Sequence, residues 1–176
     1  MKFYGSAMPF PHIQGAFRED LVADASQCIA ADGLSVGEAA MAEPLSVCLH
    51  ATRLAGALLG KHVLVTGCGP IGILSIMAAR RAGAARIVTT DLSANACAHA
   101  RNAGADQVLD ASENPDALAP YAAGKGTFDV LYECTGAQSA LEAGLAALRP
   151  RGIVIQLGIS GDMTLPMLTV IAKELE

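Results

Sequence analysis

The stretch from Lys61 to Asp91, KHVLVTGCGPIGILSIMAARRAGAARIVTTD, constrains the chain more than any other. His62-Val63-Leu64-Val65-Thr66 is a short apolar run rich in β-branched residues, the pattern of a buried strand. Gly67-Cys68-Gly69-Pro70-Ile71-Gly72 follows and fits G-x-G-x-x-G. Ile73, Leu74, Ile76, Met77 and Ala78 then give one apolar helical face, Arg80 and Arg81 fall in the last turns, and Gly83 stops the helix. A second apolar run, Arg86 to Thr90, leads to Asp91, which stands 91 − 72 = 19 residues after Gly72. A lone glycine motif says little. With a strand before it, a helix after it and an acid at this distance, it indicates a dinucleotide site.

Each residue type has a physical reason. Gly67 allows the tight turn, Gly69 lets the backbone approach a pyrophosphate, and Gly72 lets the helix pack closely on the sheet. Pro70 and Ile71 open the helix, whose unpaired N–H groups and positive dipole end favour phosphate. Asp91 can accept both ribose hydroxyls of NAD and would repel a 2′-phosphate, so NAD is expected over NADP. The alternative is a glycine turn that only starts a helix. Cys68 sits where thiols acidify, but that helix start is already committed to phosphate, so no catalytic role is assigned to it.

The strand–helix alternation continues along the chain. Ser93 caps a helix through Ala103, with Gly104 as its stop, and Gln107–Asp110 is a short strand. A loose helix over 115–123 precedes the strand Phe128–Cys134, whose carboxyl end carries Thr135-Gly136. Ser139 to Leu148 reads as an Ala/Leu helix, and Gly152 to Gly158 as a fifth strand. Right-handed crossovers then give an α/β, doubly wound parallel sheet of order 3-2-1-4-5, with ligands at its carboxyl edge. Upstream, Ser35 with Glu38 forms a capping box, and Pro44 marks a second helix start. Residues 1–34 carry short strand and turn signals without a core of their own. Two domains are expected, 1–34 and 35–176.

At 176 residues the chain can bury a substantial core. Only 16% of it is charged, which suggests a surface normally covered by another domain or subunit. A net charge of −5 without a Lys/Arg cluster argues against nucleic acid. Charged residues interrupt every long apolar stretch, which argues against a membrane span, and no signal peptide stands at the start. A cytoplasmic protein is expected. The five cysteines are scattered without a C-x-x-C pair and read as small buried hydrophobes.

Four blocks, MAEPLSVCLHA (41–51), VLVTGCGPIG (63–72), FDVLYECTGA (128–137) and GIVIQLG (152–158), resemble the zinc-dependent medium-chain dehydrogenases, in their polyol branch. The opening MKFYGSAMPFPHIQGAF (1–17) is similar to the idonate dehydrogenases of that branch; the sorbitol and threonine dehydrogenases are the alternative. The resemblance implies a Rossmann fold preceded by a β-rich remnant of a GroES-like barrel domain. It also implies hydride transfer from a secondary alcohol of a polyol or sugar acid to NAD, and a homodimer or homotetramer. Catalytic zinc in such enzymes is held by Cys, His and an acid or water, and Glu43 of the E-P-L motif resembles the residue at or beside the fourth position. Alternatively, Glu43 is an acid favoured at a helix start by the dipole alone.

By the same resemblance, Thr135, Gly136, Leu157 and Gly158 line the cofactor, against the alternative of ordinary strand-end turns. Tyr4 matches an aromatic near the substrate pocket, or else a barrel core residue. The arginine many polyol enzymes carry after the ribose acid is replaced by Asn95-Ala96. The Cys and His ligands would precede Met1 and a last strand would follow Glu176, so the chain corresponds to the middle half of such an enzyme. One Glu cannot supply the three protein ligands zinc needs, so cofactor binding without turnover is expected of this chain. A stand-alone dinucleotide-binding module is the competing reading. Tyr121 and Lys125 fit Y-x-x-x-K of the short-chain dehydrogenases, but Gly124 and Gly126 beside them speak for chance. Residues 161–166 match a family strand that pairs with a twofold mate.

Overall fold

The structure is a computed structural model that describes residues 3–6 and 8–176. Met1, Lys2 and Ala7, part of the opening stretch likened to the idonate dehydrogenases, lie outside the described residues. The chain divides into two compact units, Met1–Ala40 and Met41–Glu176.

In the first unit the β-rich character is slight. Among its described residues no strand forms; Gly5 N–H donates to Gln14 O at 3.1 Å and Ile13 N–H to Ser6 O at 3.0 Å, a single antiparallel pairing. A strand needs a neighbour's ladder, and these residues offer each other little more than that turn. The helix α1 (Val36–Ala40) begins as its sequence requires. Glu38 accepts from Ser35 N–H at 2.8 Å, and Ser35 Oγ accepts from Glu38 N–H at 3.2 Å, the reciprocal capping box.

The second unit opens with α2 (Ala42–Leu54), which starts two residues before Pro44. A proline is tolerated there because first-turn N–H groups have no intrahelical acceptor. Five strands follow: β1 (His62–Thr66), β2 (Arg86–Asp91), β3 (Gln107–Asp110), β4 (Phe128–Glu133) and β5 (Leu148–Gln156). They form one parallel sheet of order β3-β2-β1-β4-β5. Between them run α3 (Pro70–Arg81), α4 (Ala94–Asn102), the single turn α5 (Ala119–Ala122) and α6 (Gln138–Ala147).

Alternation along the strands fills both faces. Val63, Val65, Ile87, Val130 and Tyr132 pack with Ile76 and Ala79 of α3 and Ala51 of α2. Leu64, Val88, Phe128 and Leu131 pack on the other face with Leu141 and Leu145 of α6. Both faces are therefore covered, as a buried parallel sheet requires. Truncating one of these side chains, as in Leu131→Ala, would cost about 2–5 kcal/mol.

Two details differ from the sequence expectation. The loose helix over 115–123 shrinks to α5, broken by Gly124 at φ +62°. Tyr121 there donates its hydroxyl to Gln107 at 2.7 Å and stacks on Phe128 with ring centres 5.1 Å apart. The Y-x-x-x-K match is thus a packing residue beside a turn. β5 begins at Leu148, before Pro150, because Leu148 already pairs with Phe128; a bulge then restores register at Val130↔Ile153. In residues 161–166, expected to pair with a twofold mate, the side-chain amide of Gln138 holds both backbone groups of Thr164 within the chain, at 2.7 and 2.8 Å.

The last helix, α7 (Met167–Ala172), returns to the sheet. Beyond it, Glu176 N–H donates to Gly152 O at 3.1 Å and Val154 N–H to Glu176 O at 2.7 Å, one parallel pairing on the outer edge of β5. Lys173 Nζ donates to the carbonyls of Leu145, Ala146 and Leu148 at 3.1, 2.6 and 2.6 Å, capping the end of α6.

Candidate dinucleotide site

The order of the sheet reverses between β1 and β4, and there the carboxyl ends of the strands leave a crevice. The three motif glycines have separate tasks. A Cβ on Gly72 would stand 1.8 Å from Gly67 O, so only glycine lets α3 start this close to the turn. Gly67, at φ +86°, would press a Cβ to 2.8 Å from the Thr135 side chain. A Cβ on Gly69 would meet nothing within 4 Å: this glycine borders open space. Gly69 is also the N-cap of α3 and caps it with no side chain. With Pro70 at the first position, the N–H groups of Ile71 and Gly72 are left without an intrahelical acceptor. An open cradle at an uncapped helix start fits a pyrophosphate.

Asp91 ends β2 beside this turn. Its Oδ2 accepts the N–H of Cys68 at 2.6 Å and its Oδ1 the N–H of Ser93 at 2.8 Å. A carboxylate has about four acceptor positions, so capacity remains for ribose hydroxyls. Asp91 and Thr135 line one cavity of about 310 Å³, closed by the apolar side chains of Leu92, Ala111, Leu118 and Ala140. A mostly apolar slot beside Asp91 suits an adenine. None of those four apolar residues was read from the sequence, since they come from separate loops and helices. Only Leu92, directly after the acid, carried a signal.

Leu157 and Gly158 lie just past β5, on the other side of β4. Their N–H groups both donate to Glu133 O at 2.8 Å. A Cβ on Gly158 would stand 2.0 Å from Gly136 N, so the two turns touch backbone to backbone. The predicted residues thus form two groups, Gly67–Gly72 with Asp91 and Thr135, and Gly136 with Leu157 and Gly158. Glu133, which the sequence reading passed over as part of a strand, stands between them.

Cys48, Cys68 and Cys97 are buried and Cys134 half-buried, as expected of small hydrophobes, whereas Cys28 is exposed. Burial pushes the Cys68 thiol up to about 11 despite the bond with Thr89, and the Cys134 thiol up to about 12. Glu43 sits exposed in the first turn of α2, where the dipole favours it. Among the described residues no three His, Cys, Asp or Glu side chains come together as a metal site. These residues alone do not fit a zinc ion, and no step is assigned to one. No helix of the described residues is long and apolar enough to cross a membrane.

Comparison with known proteins agrees with this geometry. The family profile described as zinc-binding dehydrogenase matches residues 70–176. L-idonate 5-dehydrogenase (NAD(P)(+)) of Escherichia coli is 41% identical over 99% of this chain and 51% of its own length. Sorbitol dehydrogenase of Ovis aries is 39% identical over 82% of this chain and 42% of its own. The crystal structure of the Escherichia coli L-idonate 5-dehydrogenase superposes with a TM-score of 0.92 at 39% identity, covering 98% of this chain and 50% of that one. The chain spans about half the length of the relatives it matches. By the family profile over most of its sheet and by these likenesses, the chain belongs to the zinc-binding dehydrogenases.

Proposed function

We propose that this chain is the NAD-binding part of a polyol or sugar-acid dehydrogenase of the L-idonate 5-dehydrogenase kind. The open cradle at Gly69, next to the acceptor-rich Asp91, carries the reading. Gly67, Gly69, Pro70, Ile71 and Gly72 receive the pyrophosphate, Asp91 the adenosine ribose, and Thr135, Gly136, Leu157 and Gly158 the remaining walls. Bound there, NAD supplies a hydride acceptor. What these residues contribute is orientation: the phosphates are fixed at the helix start and the second nucleoside is aimed toward the ends of β4 and β5.

Residues 1–34 belong, in this reading, to a GroES-like catalytic domain and 35–176 to the Rossmann domain. Glu43 is assigned to the catalytic zinc position of the whole protein, which acts in the cytoplasm as a homo-oligomer on a small-molecule alcohol, with neither nucleic acid nor membrane as a partner. By itself the chain binds cofactor without turnover. Titration with NADH and NADPH, by fluorescence, tests the proposal. Saturable NADH binding at a single site is expected. No binding of either cofactor would leave only the fold, and the two-cofactor name of the Escherichia coli relative makes NADPH the necessary comparison.

A further inference from the structure

Glu133 is fully buried, at 0% exposure, and among the described residues no ion pair includes it. Five hydrogen bonds surround its carboxylate instead. Oε1 accepts from Thr66 Oγ1 at 3.3 Å, from Thr135 N–H at 2.8 Å and from the Thr135 hydroxyl. Oε2 accepts from Gly136 N–H at 2.8 Å and from Gln156 Nε2 at 2.5 Å. One side chain thus joins the carboxyl ends of β1, β4 and β5. A scaffold has no need of this: burying a carboxyl group is costly, and an apolar residue of similar volume often serves stability as well. What the carboxyl adds is a fixed geometry at three strand ends.

The two oxygens serve different sides. Oε1 holds Thr135, which lines the cavity shared with Asp91. Oε2 holds Gly136 and, through Gln156, whose amide also donates to Gly158 O at 2.9 Å, the turn after β5. A dinucleotide that places its ribose at Asp91, on the β2 side of β1, and its phosphates at the β1 turn carries its second nucleoside on toward β4 and β5, the strands on the other side. We propose that Glu133 is a positioning residue for that half: Oε2 sets the Gly136 and Leu157–Gly158 turns to receive the nicotinamide riboside, without touching it. This rests on the dinucleotide reading.

Glu133→Gln separates the two oxygens. Glutamine keeps an acceptor toward Thr135 but turns an NH₂ against the Gly136 N–H and the Gln156 amide. Binding of NADH and of ADP-ribose, which lacks nicotinamide, is measured below the melting temperature of each variant. Glu133→Gln should weaken NADH about tenfold and ADP-ribose less than about twofold. A general loosening of the fold would instead weaken both ligands alike, and that result overturns the assignment. So does unchanged NADH affinity in a folded Glu133→Gln. Should that variant fail to fold, Gln156→Leu removes one donor to Oε2 from outside, and a threefold selective NADH loss is expected; no loss overturns the proposal. If the unaltered chain binds neither ligand, the dinucleotide reading falls first and this one with it.

Discussion

Asp91 and Glu133 are both acids at the carboxyl ends of strands, β2 and β4, on either side of β1. Their surroundings differ. Asp91 is half-buried, accepts two backbone N–H groups and borders a cavity. Glu133 is closed off and accepts five hydrogen bonds from three strand ends. A carboxylate with spare acceptor positions can take a ligand; one already filled by protein donors can only hold protein in place. The same contrast separates the glycines. Gly69 leaves room and Gly158 leaves none.

The glycines give the largest test of that contrast. Gly158→Ala puts a methyl 2.0 Å from Gly136 N and should lower unfolding free energy by about 3 kcal/mol or more, measured by urea unfolding. Gly69→Ala has φ −68° and open space, so stability should stay within about 1 kcal/mol while NADH affinity drops at least about tenfold. Equal losses of stability in the two variants would erase the distinction between cradle and contact. A smaller effect is expected from Asp91→Asn, which should narrow the preference for NAD over NADP by about tenfold in paired titrations. Unaltered protein that binds NADP as tightly as NAD would remove Asp91 from its role.

A third acid, Asp106, supplies the baseline, because it has neither a ligand cavity nor full burial. Burial pushes its carboxyl up, but the Ile87 N–H at 2.6 Å and Arg80 at 2.5 Å outweigh that and hold it below the ordinary 3.8. A depressed carboxylate contributes stability above its unfolded value and loses it as pH falls through the folded one. Asp106→Asn should therefore be less stable than the parent at pH 7, and the gap should close below 3.8. The side chain is 42% exposed, so the effect should stay under about 1 kcal/mol. A gap that persists in acid would trace the loss to packing instead.

What could be read beforehand followed from local rules. β1, α3 and β2 announced themselves through apolar period, glycine spacing and the terminal acid, and Ser93 and Ser35 through their caps. Glu133 was hidden because an acid at the end of a strand usually reaches water; only the meeting of three strand ends surrounds it with donors. The apolar wall of the cavity at Asp91 was hidden for the same reason, its residues coming from four segments distant in sequence. The start of β5 lay outside the Gly152–Gly158 reading because Pro150 has no N–H to give a ladder, while Arg151 at φ +59° carries the bulge that lets the ladder continue.

The lysine that closes α6 has a consequence for synthesis. A helix end leaves its last carbonyls without partners, and here the ammonium of Lys173 satisfies three of them from well downstream. As the chain leaves the ribosome, α6 and the bend into β5 emerge with those carbonyls bare and dependent on water. The outer layer of the sheet can form early but closes only when α7 and Lys173 follow. Until Lys173 has emerged, the end of α6 therefore stays exposed to proteolysis or misassociation.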